Sequence, residues 1–308
     1  MTVSKPSILR VGYVPEHFSS PILQLIRSDD HLNSLIQLVP NPSGTGQMIN
    51  GLKDRSIEVV IGLTESLIAG IILRKADYRL IGSYVDSSLN WAVITGSDSK
   101  FKSISDLRGQ RIGISRPGSG SQLMASVMAL QQGWSNQQDQ SQAIEFVVED
   151  SFKNLRDSVN SGKTAAFMWE WFTTKPFSDS GEVRFIGNVP TPWSSWSIAA
   201  SSETIASNKQ SLIDFLERLD QSISRFGRLN EIRSDEHIDF VKETFHLEEE
   251  DVKEWMKGVR YTDSCRSIST STLQETVKVL GLAGIIENHE KVKVPEDLVD
   301  LEIAKTVD

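Results

Sequence analysis

Short runs of apolar and β-branched residues punctuate the first half of the chain, at 8–14, 35–39, 57–61, 80–84, 91–95, 111–115 and 144–148. Each is short enough for a buried strand, and polar or Gly/Pro-containing segments separate them. Between the runs the apolar spacing changes to that of helix faces. Met48, Ile49 and Leu52 share one face, Leu67, Ile68, Ile71 and Ile72 a second, and Leu123, Met124, Val127 and Met128 a third. Strands alternating with helices predict parallel α/β sheets. From about residue 207 the pattern is helical throughout, with stripes at Leu212, Phe215, Leu216, Leu219, Ile223 and Phe226, at Ile238, Val241 and Phe245, at Val252, Trp255, Met256 and Val259, and at Leu273, Val277 and Leu280. The final stretch, 294–299, is expected to pack across the surface.

At 308 residues the chain exceeds the size at which one hydrophobic core stops growing, so two lobes are expected. No low-complexity tether separates them, which predicts a discontinuous domain. Lobe one is expected to comprise 1–91 plus 197–308 and lobe two 92–196, with hinge crossings near 88–95 and 191–199. The net charge of -9 and the lack of a basic stripe argue against nucleic acid. The longest apolar run, 67–73, is too short to span a bilayer. Residues 1–7 lead into the first strand without the apolar core of a leader, there is one cysteine, Cys265, and no permitted glycosylation sequon occurs. These features set the expectation of a cytoplasmic protein. Oligomeric state stays open.

The segment Ser103-Ile104-Ser105-Asp106-Leu107-Arg108-Gly109-Gln110-Arg111-Ile112-Gly113-Ile114, followed by a Gly/Ser loop and an apolar helix, resembles the entry to the second lobe of the sulfonate-, nitrate- and taurine-binding proteins. Ser103 and Asp106 read as a capping box for a short helix there. Pro40-Asn41-Pro42-Ser43 with the 57–63 run resembles the fungal thiamine-pyrimidine synthase family. Together these resemblances imply an α/β protein of the two-lobed type II periplasmic-binding-protein fold, with mixed, mostly parallel sheets, flanking helices and a helical C-terminal segment. They point to a fungal, cytosolic member.

In the synthase family a lysine holds pyridoxal phosphate directly after the Gly-Leu pair, and a sacrificial histidine follows four positions later. Thr64 and Ile68 occupy those places here, and the family's cysteine motif is missing. Threonine and isoleucine supply neither an amine nor an imidazole. The synthase reaction and its cofactor are therefore not expected, and no cofactor or metal is assigned. The expected function is binding of a small polar ligand, heteroaromatic and thiamine-pyrimidine-like or an anionic metabolite, with closure of the lobes. The alternative is an enzyme of the same fold using different residues.

In open α/β sheets, ligands meet the loops at the carboxyl ends of the strands. That rule selects Glu16 and His17, then Ser43, Gly44 and Thr45, then Thr64 and Glu65. Glu16 and Glu65 read either as acceptors for an amine or amidine or as helix-start charges, and His17 either as a ligand contact or as a packed ring. Ser43–Thr45 reads as an anion site or as an ordinary helix start. Ser119, Gly120 and Ser121, with Gly118, form the stronger candidate, because glycines admit close approach of a ligand to the backbone at a helix N-terminus. Trp169 and Glu170 (with Trp171) read either as a stacking slot with an acceptor or as core. Asn90, Trp91 and Trp193 lie in the expected crossings, where hinge and ligand roles coincide. No zinc-binding, P-loop or nucleophile-elbow motif occurs.

Overall fold

The computed structural model describes residues 8–27, 35–134, 144–227 and 235–308. Residues 1–7 and His31 lie outside them.

The chain divides into two compact units. Unit 1 contains the described residues up to Ser87, together with Trp196–Ser271 and Lys293–Asp308; unit 2 contains Ser88–Ser195 and Thr272–Val292. The helical tail was expected to belong entirely to lobe one, but residues 272–292 group with unit 2. An amphipathic stripe fixes that one helix face is buried and leaves open which core it joins.

Unit 1 begins with β1 (Leu9–Tyr13), a 3-10 turn at His17–Ser19, α1 (Ser20–Arg27), β2 (Ile36–Pro40), α2 (Thr45–Lys53), β3 (Val59–Leu63), α3 (Thr64–Ile72) and β4 (Tyr78–Val85). Unit 2 supplies β5 (Asn90–Gly96), a 3-10 turn at Ile104–Leu107, β6 (Arg111–Ile114), α4 (Gly120–Gln131), β7 (Glu145–Val148), α5 (Phe152–Asn160), β8 (Ala166–Glu170), α6 (Trp171–Asp179) and β9 (Val183–Pro190). The chain returns through β10 (Trp196–Ser201) into α7 (Ser202–Phe226), α8 (Asp235–Phe245), α9 (Glu249–Gly258), β11 (Ser267–Ser269), α10 (Thr270–Leu282) and β12 (Lys305–Val307). The expected capping box is present: the Ser103 side chain and the Asp106 carboxylate close the 3-10 turn reciprocally.

The two large sheets repeat one plan. Unit 1 has strand order β2-β1-β3-β10-β4 and unit 2 has β7-β6-β8-β5-β9. In each, the first three strands in this order are parallel, and one reversed strand, β10 or β5, lies between the third and the fifth. β3 is buried along its whole length, as expected for a strand covered on both faces. Helix α7 buries Leu212, Phe215, Leu216, Leu219, Ile223 and Phe226. The C-terminal segment pairs with the outer edge of β4, where Leu80 N–H donates to Leu298 O and Asp300 N–H to Leu80 O, both at 2.9 Å, so the edge is covered.

Candidate functional site

The carboxyl ends of the parallel strands gather most of the expected residues, and each unit forms its own cluster. In unit 1, Thr45 opens α2 after Gly44, whose φ of 80° suits glycine. The buried Thr45 hydroxyl accepts the Leu63 N–H at 2.9 Å, tying the start of α2 to the end of β3. Gly62 permits this closeness, because a Cβ there would lie 2.9 Å from Thr45 Cγ2. Thr64 then opens α3, and its hydroxyl pairs with Ser197 of β10 at 2.8 Å. Glu65, in the first turn of α3, is fully buried. A helix N-terminus favours a carboxylate at that point. Ser43 is exposed, and its N–H donates to Gln47 Oε1 at 3.0 Å.

Glu16 is half-buried, while His17 is enclosed. The His17 ring lies 4.6 Å from Phe18, 4.7 Å edge-on from Trp255 and 6.4 Å from Phe245, centroid to centroid. Burial among these aromatics lowers its pKa to about 3, so it is neutral at physiological pH. The structure thus gives the packed-ring arrangement of the two left open by the sequence. Trp196, at the start of β10 opposite Leu63, stacks on Phe18 at 5.8 Å.

In unit 2, β8 ends at Glu170, which caps α6: its carboxylate accepts the Thr173 N–H at 2.7 Å. Glu170 is buried, and desolvation raises its pKa to about 7, against the opposing hydrogen bonds from Thr173, Phe172 and Trp171. Trp91 faces Glu170 across the β5–β8 ladder, is buried, and its indole N–H meets no acceptor among the described residues. Asn90 accepts from Asn188 Nδ2 at 2.7 Å. Trp193 is buried, its carbonyl accepting the Thr191 hydroxyl at 3.0 Å, while Thr191 Oγ1 also accepts the Leu89 N–H at 3.0 Å.

The tryptophan slot does not form as read from alternation. Strand geometry ends at Glu170, and Trp171 is already helical, so Trp169 and Trp171 do not share a strand face. Trp169 packs on Phe152 at 4.9 Å and Trp171 on Phe185 at 4.5 Å, both against the hydrophobic cluster around Phe167.

The Gly/Ser loop after β6 is braced internally. Ser119 caps α4, accepting the Gln122 N–H, and lies 2.9 Å from Ser121 Oγ. Ser121 Oγ accepts the Ser115 N–H at 3.2 Å, and Gln122 Oε1 accepts the Gly118 N–H at 2.6 Å. The residue that sequence reasoning passed over is Arg116. It is half-buried on this loop, and burial lowers its pKa. Its signal in the sequence was to be the one cation inside the Ser115–Ser121 stretch.

Among the described residues no cluster of His, Cys, Asp and Glu suits a metal ion. Hollows of about 530 and 520 Å³ open at the opposite, amino ends of the strands, one within each unit. In the first, Arg10 pairs with Glu58 and Arg55 with Glu203, so opposite charges already neutralise one another.

Comparison with known proteins agrees with this architecture. A family model described as Ca3427-like PBP matches residues 91–189. The Candida albicans CA3427 gene product, whose structure is described as defining a new family with the generic periplasmic binding protein fold, is 34% identical over 91% of each chain, with a TM-score of 0.82. The alkanesulfonate-binding protein SsuA of Xanthomonas axonopodis pv. citri, bound to MOPS, is 16% identical, covers 99% of this chain and 100% of its own, and has a TM-score of 0.72. The aliphatic sulphonate binding protein SsuA of Escherichia coli is 15% identical over 96% of this chain and 98% of its own, with a TM-score of 0.66. Among curated proteins, no sequence matches significantly.

Proposed function

The chain belongs to the family defined by the Candida albicans CA3427 protein, with its periplasmic-binding-protein fold, and on that premise we propose that it is a binding module for a small polar ligand carrying hydrogen-bond donors. An aminopyrimidine related to thiamine is the specific ligand class. One observation carries the reading. Both units run the same strand plan, and each places a buried carboxylate where its third parallel strand passes into a helix: Glu65 at 0% exposure and Glu170 at 4%. A carboxylate oxygen can accept more than one hydrogen bond, and an amine, amidine or aminopyrimidine supplies donors of the kind these two groups accept.

Thr45 and Thr64 in unit 1, and Ser119 and Ser121 in unit 2, add polar groups to the two edges in this proposal. Family membership supports ligand binding as the general role; the SsuA resemblance supports the fold. A cytoplasmic setting is proposed with it, supported by Cys265, a buried cysteine outside any disulfide.

Thermal unfolding of the full chain with the thiamine aminopyrimidine, its phosphate and a panel of small amines tests the reading. A ligand at 100 times its Kd adds about 2.7 kcal/mol. Stabilisation by an aminopyrimidine that is lost in both Glu65→Gln and Glu170→Gln supports it. Stabilisation that survives in both variants removes the two carboxylates from the site.

A further inference from the structure

The hollow at the amino ends of the unit 2 strands lies away from Glu170 and Trp91 and encloses about 520 Å³, a size that suits a small molecule. Two stretches wall it, 96–101 after β5 and 159–165 between α5 and β8, and Gln110 and Arg111 complete it. The walls are held to each other and to the sheet. A Cβ on Gly96 would lie 2.5 Å from the Val159 carbonyl oxygen, so the two stretches meet backbone to backbone. Ser97 N–H donates to Asn160 Oδ1 at 3.2 Å, and Asn160 Nδ2 donates to Glu182 O at 3.0 Å. The Arg184 guanidinium, on β9, donates to the carbonyls of Ser99 and Phe101, both at 2.9 Å. A hollow braced in this way spares a ligand the cost of ordering it.

Its charge differs from that of its counterpart. The unit 1 hollow gathers Arg10, Lys53 and Arg55 with Glu58, Asp77 and Glu203, so its charges balance. The unit 2 hollow is lined by Lys100, Arg111 and Lys163, with Asp98 as the acid among the described residues. Lys163 is committed to the buried Glu149 at 2.9 Å. Arg111 and Lys100 make no ion pair among the described residues, and Asp98 pairs with neither. Glu145 lies beside Arg111 in the β6–β7 register, outside the lining. Lys100 Nζ stands 5.2 Å from the centre of the half-buried Phe101 ring. In a chain of net charge -9, two uncommitted cations in one braced hollow attract an anion. Asp98 decides its kind: the carboxylate repels a bare oxyanion but accepts from the hydroxyls of a larger ligand.

We propose that this hollow is a separate binding site for a phosphorylated sugar or polyol. The phosphate takes the two cations, its oxygens accepting from the Arg111 fork and the Lys100 ammonium. The hydroxyls turn to Asp98, Ser97 and Gln110, and the C–H face of the ligand lies on Phe101. The site is independent of ligand binding at Glu65 and Glu170.

The probes are glucose 6-phosphate, glucose and inorganic phosphate, titrated into the full chain by calorimetry. Glucose 6-phosphate should bind at least about tenfold more tightly than either part alone. Arg111→Gln should weaken it by at least about tenfold, because a charge-assisted pair is lost, and Arg111→Lys should fall between. Arg111 is exposed, so the ligand-free melting temperature should stay that of the wild type in both variants. Asp98→Asn separates the two halves of the site: it should weaken glucose 6-phosphate while phosphate binds as tightly as before or more so. Equal affinity in wild type and Arg111→Gln overturns the assignment, as does failure of glucose 6-phosphate to bind. Phosphate that binds as tightly as glucose 6-phosphate overturns the sugar as ligand. Binding that Glu170→Gln abolishes and Arg111→Gln leaves intact moves the ligand to the carboxyl edge and removes this site.

Discussion

Replacing Glu170 by glutamine should make the protein more stable at pH 8, and the gain should shrink in mild acid. Glu170 is buried, and desolvation raises its pKa from 4.5 to about 7. The folded state then holds a proton that the unfolded state has released. The stability this contributes is fully present below pH 4.5 and is lost as pH rises through 7. At about 1.4 kcal/mol per tenfold change in proton affinity, the shift amounts to about 3 kcal/mol, most of which is lost between pH 5 and pH 8. Glutamine is neutral at every pH and keeps an oxygen to accept the Thr173 N–H, so the α6 cap survives. Urea denaturation of wild type and Glu170→Gln at pH 5, 6, 7 and 8 gives the difference at each pH, in which all other titrating groups cancel. The variant's advantage should grow from about 1 kcal/mol at pH 5 to about 3 kcal/mol at pH 8. Two curves that stay parallel across this range would refute the argument that Glu170 is held protonated by burial.

His17 should show the opposite sign. Its pKa falls to about 3 in the folded chain, so the unfolded state takes up the proton first and stability is lost as pH falls from 6.5 toward 3, by about 2 kcal/mol between pH 7 and 5. In His17→Phe, urea midpoints should be flatter over that interval; an unchanged slope counts against a buried neutral imidazole. Thr45→Val keeps the side-chain shape but strands the buried Leu63 N–H, which should cost about 1–3 kcal/mol at pH 7 by the same denaturation assay. A cost near zero would mean that the bond between α2 and β3 is not needed to hold the carboxyl edge.

The pattern of apolar runs announced the parallel strands because buried strands need nothing but β-branched and apolar residues, and β1, β3 and β6 are of this kind. β9 went unread. It is a partly exposed edge strand in which Arg184, Gly187 and Asn188 interrupt the apolar positions, so neither a continuous run nor a clean alternation marks it. The Trp169–Trp171 slot failed for a local reason: Glu170 stops the strand by capping the next helix, and alternation cannot be carried past a cap. The enclosure of His17 depends on Phe245 and Trp255, which lie far along the chain and meet it only through the fold. That Thr64 and Glu65 stand at the carboxyl end of β3 was legible because the rule needs only the strand ends, whereas Glu170 was reached through the tryptophan pattern. Arg116 was not legible, because a sequence does not show that the loop's own side chains occupy its N–H groups.

Native mass spectrometry of the full chain, purified gently from the cells that make it, tests the binding function most directly. The account predicts a small-molecule adduct that denaturation releases, whose composition includes an amine, amidine or aminopyrimidine, and which Glu65→Gln and Glu170→Gln fail to retain. A released compound lacking any nitrogen donor, or an adduct held equally by both variants, would contradict it.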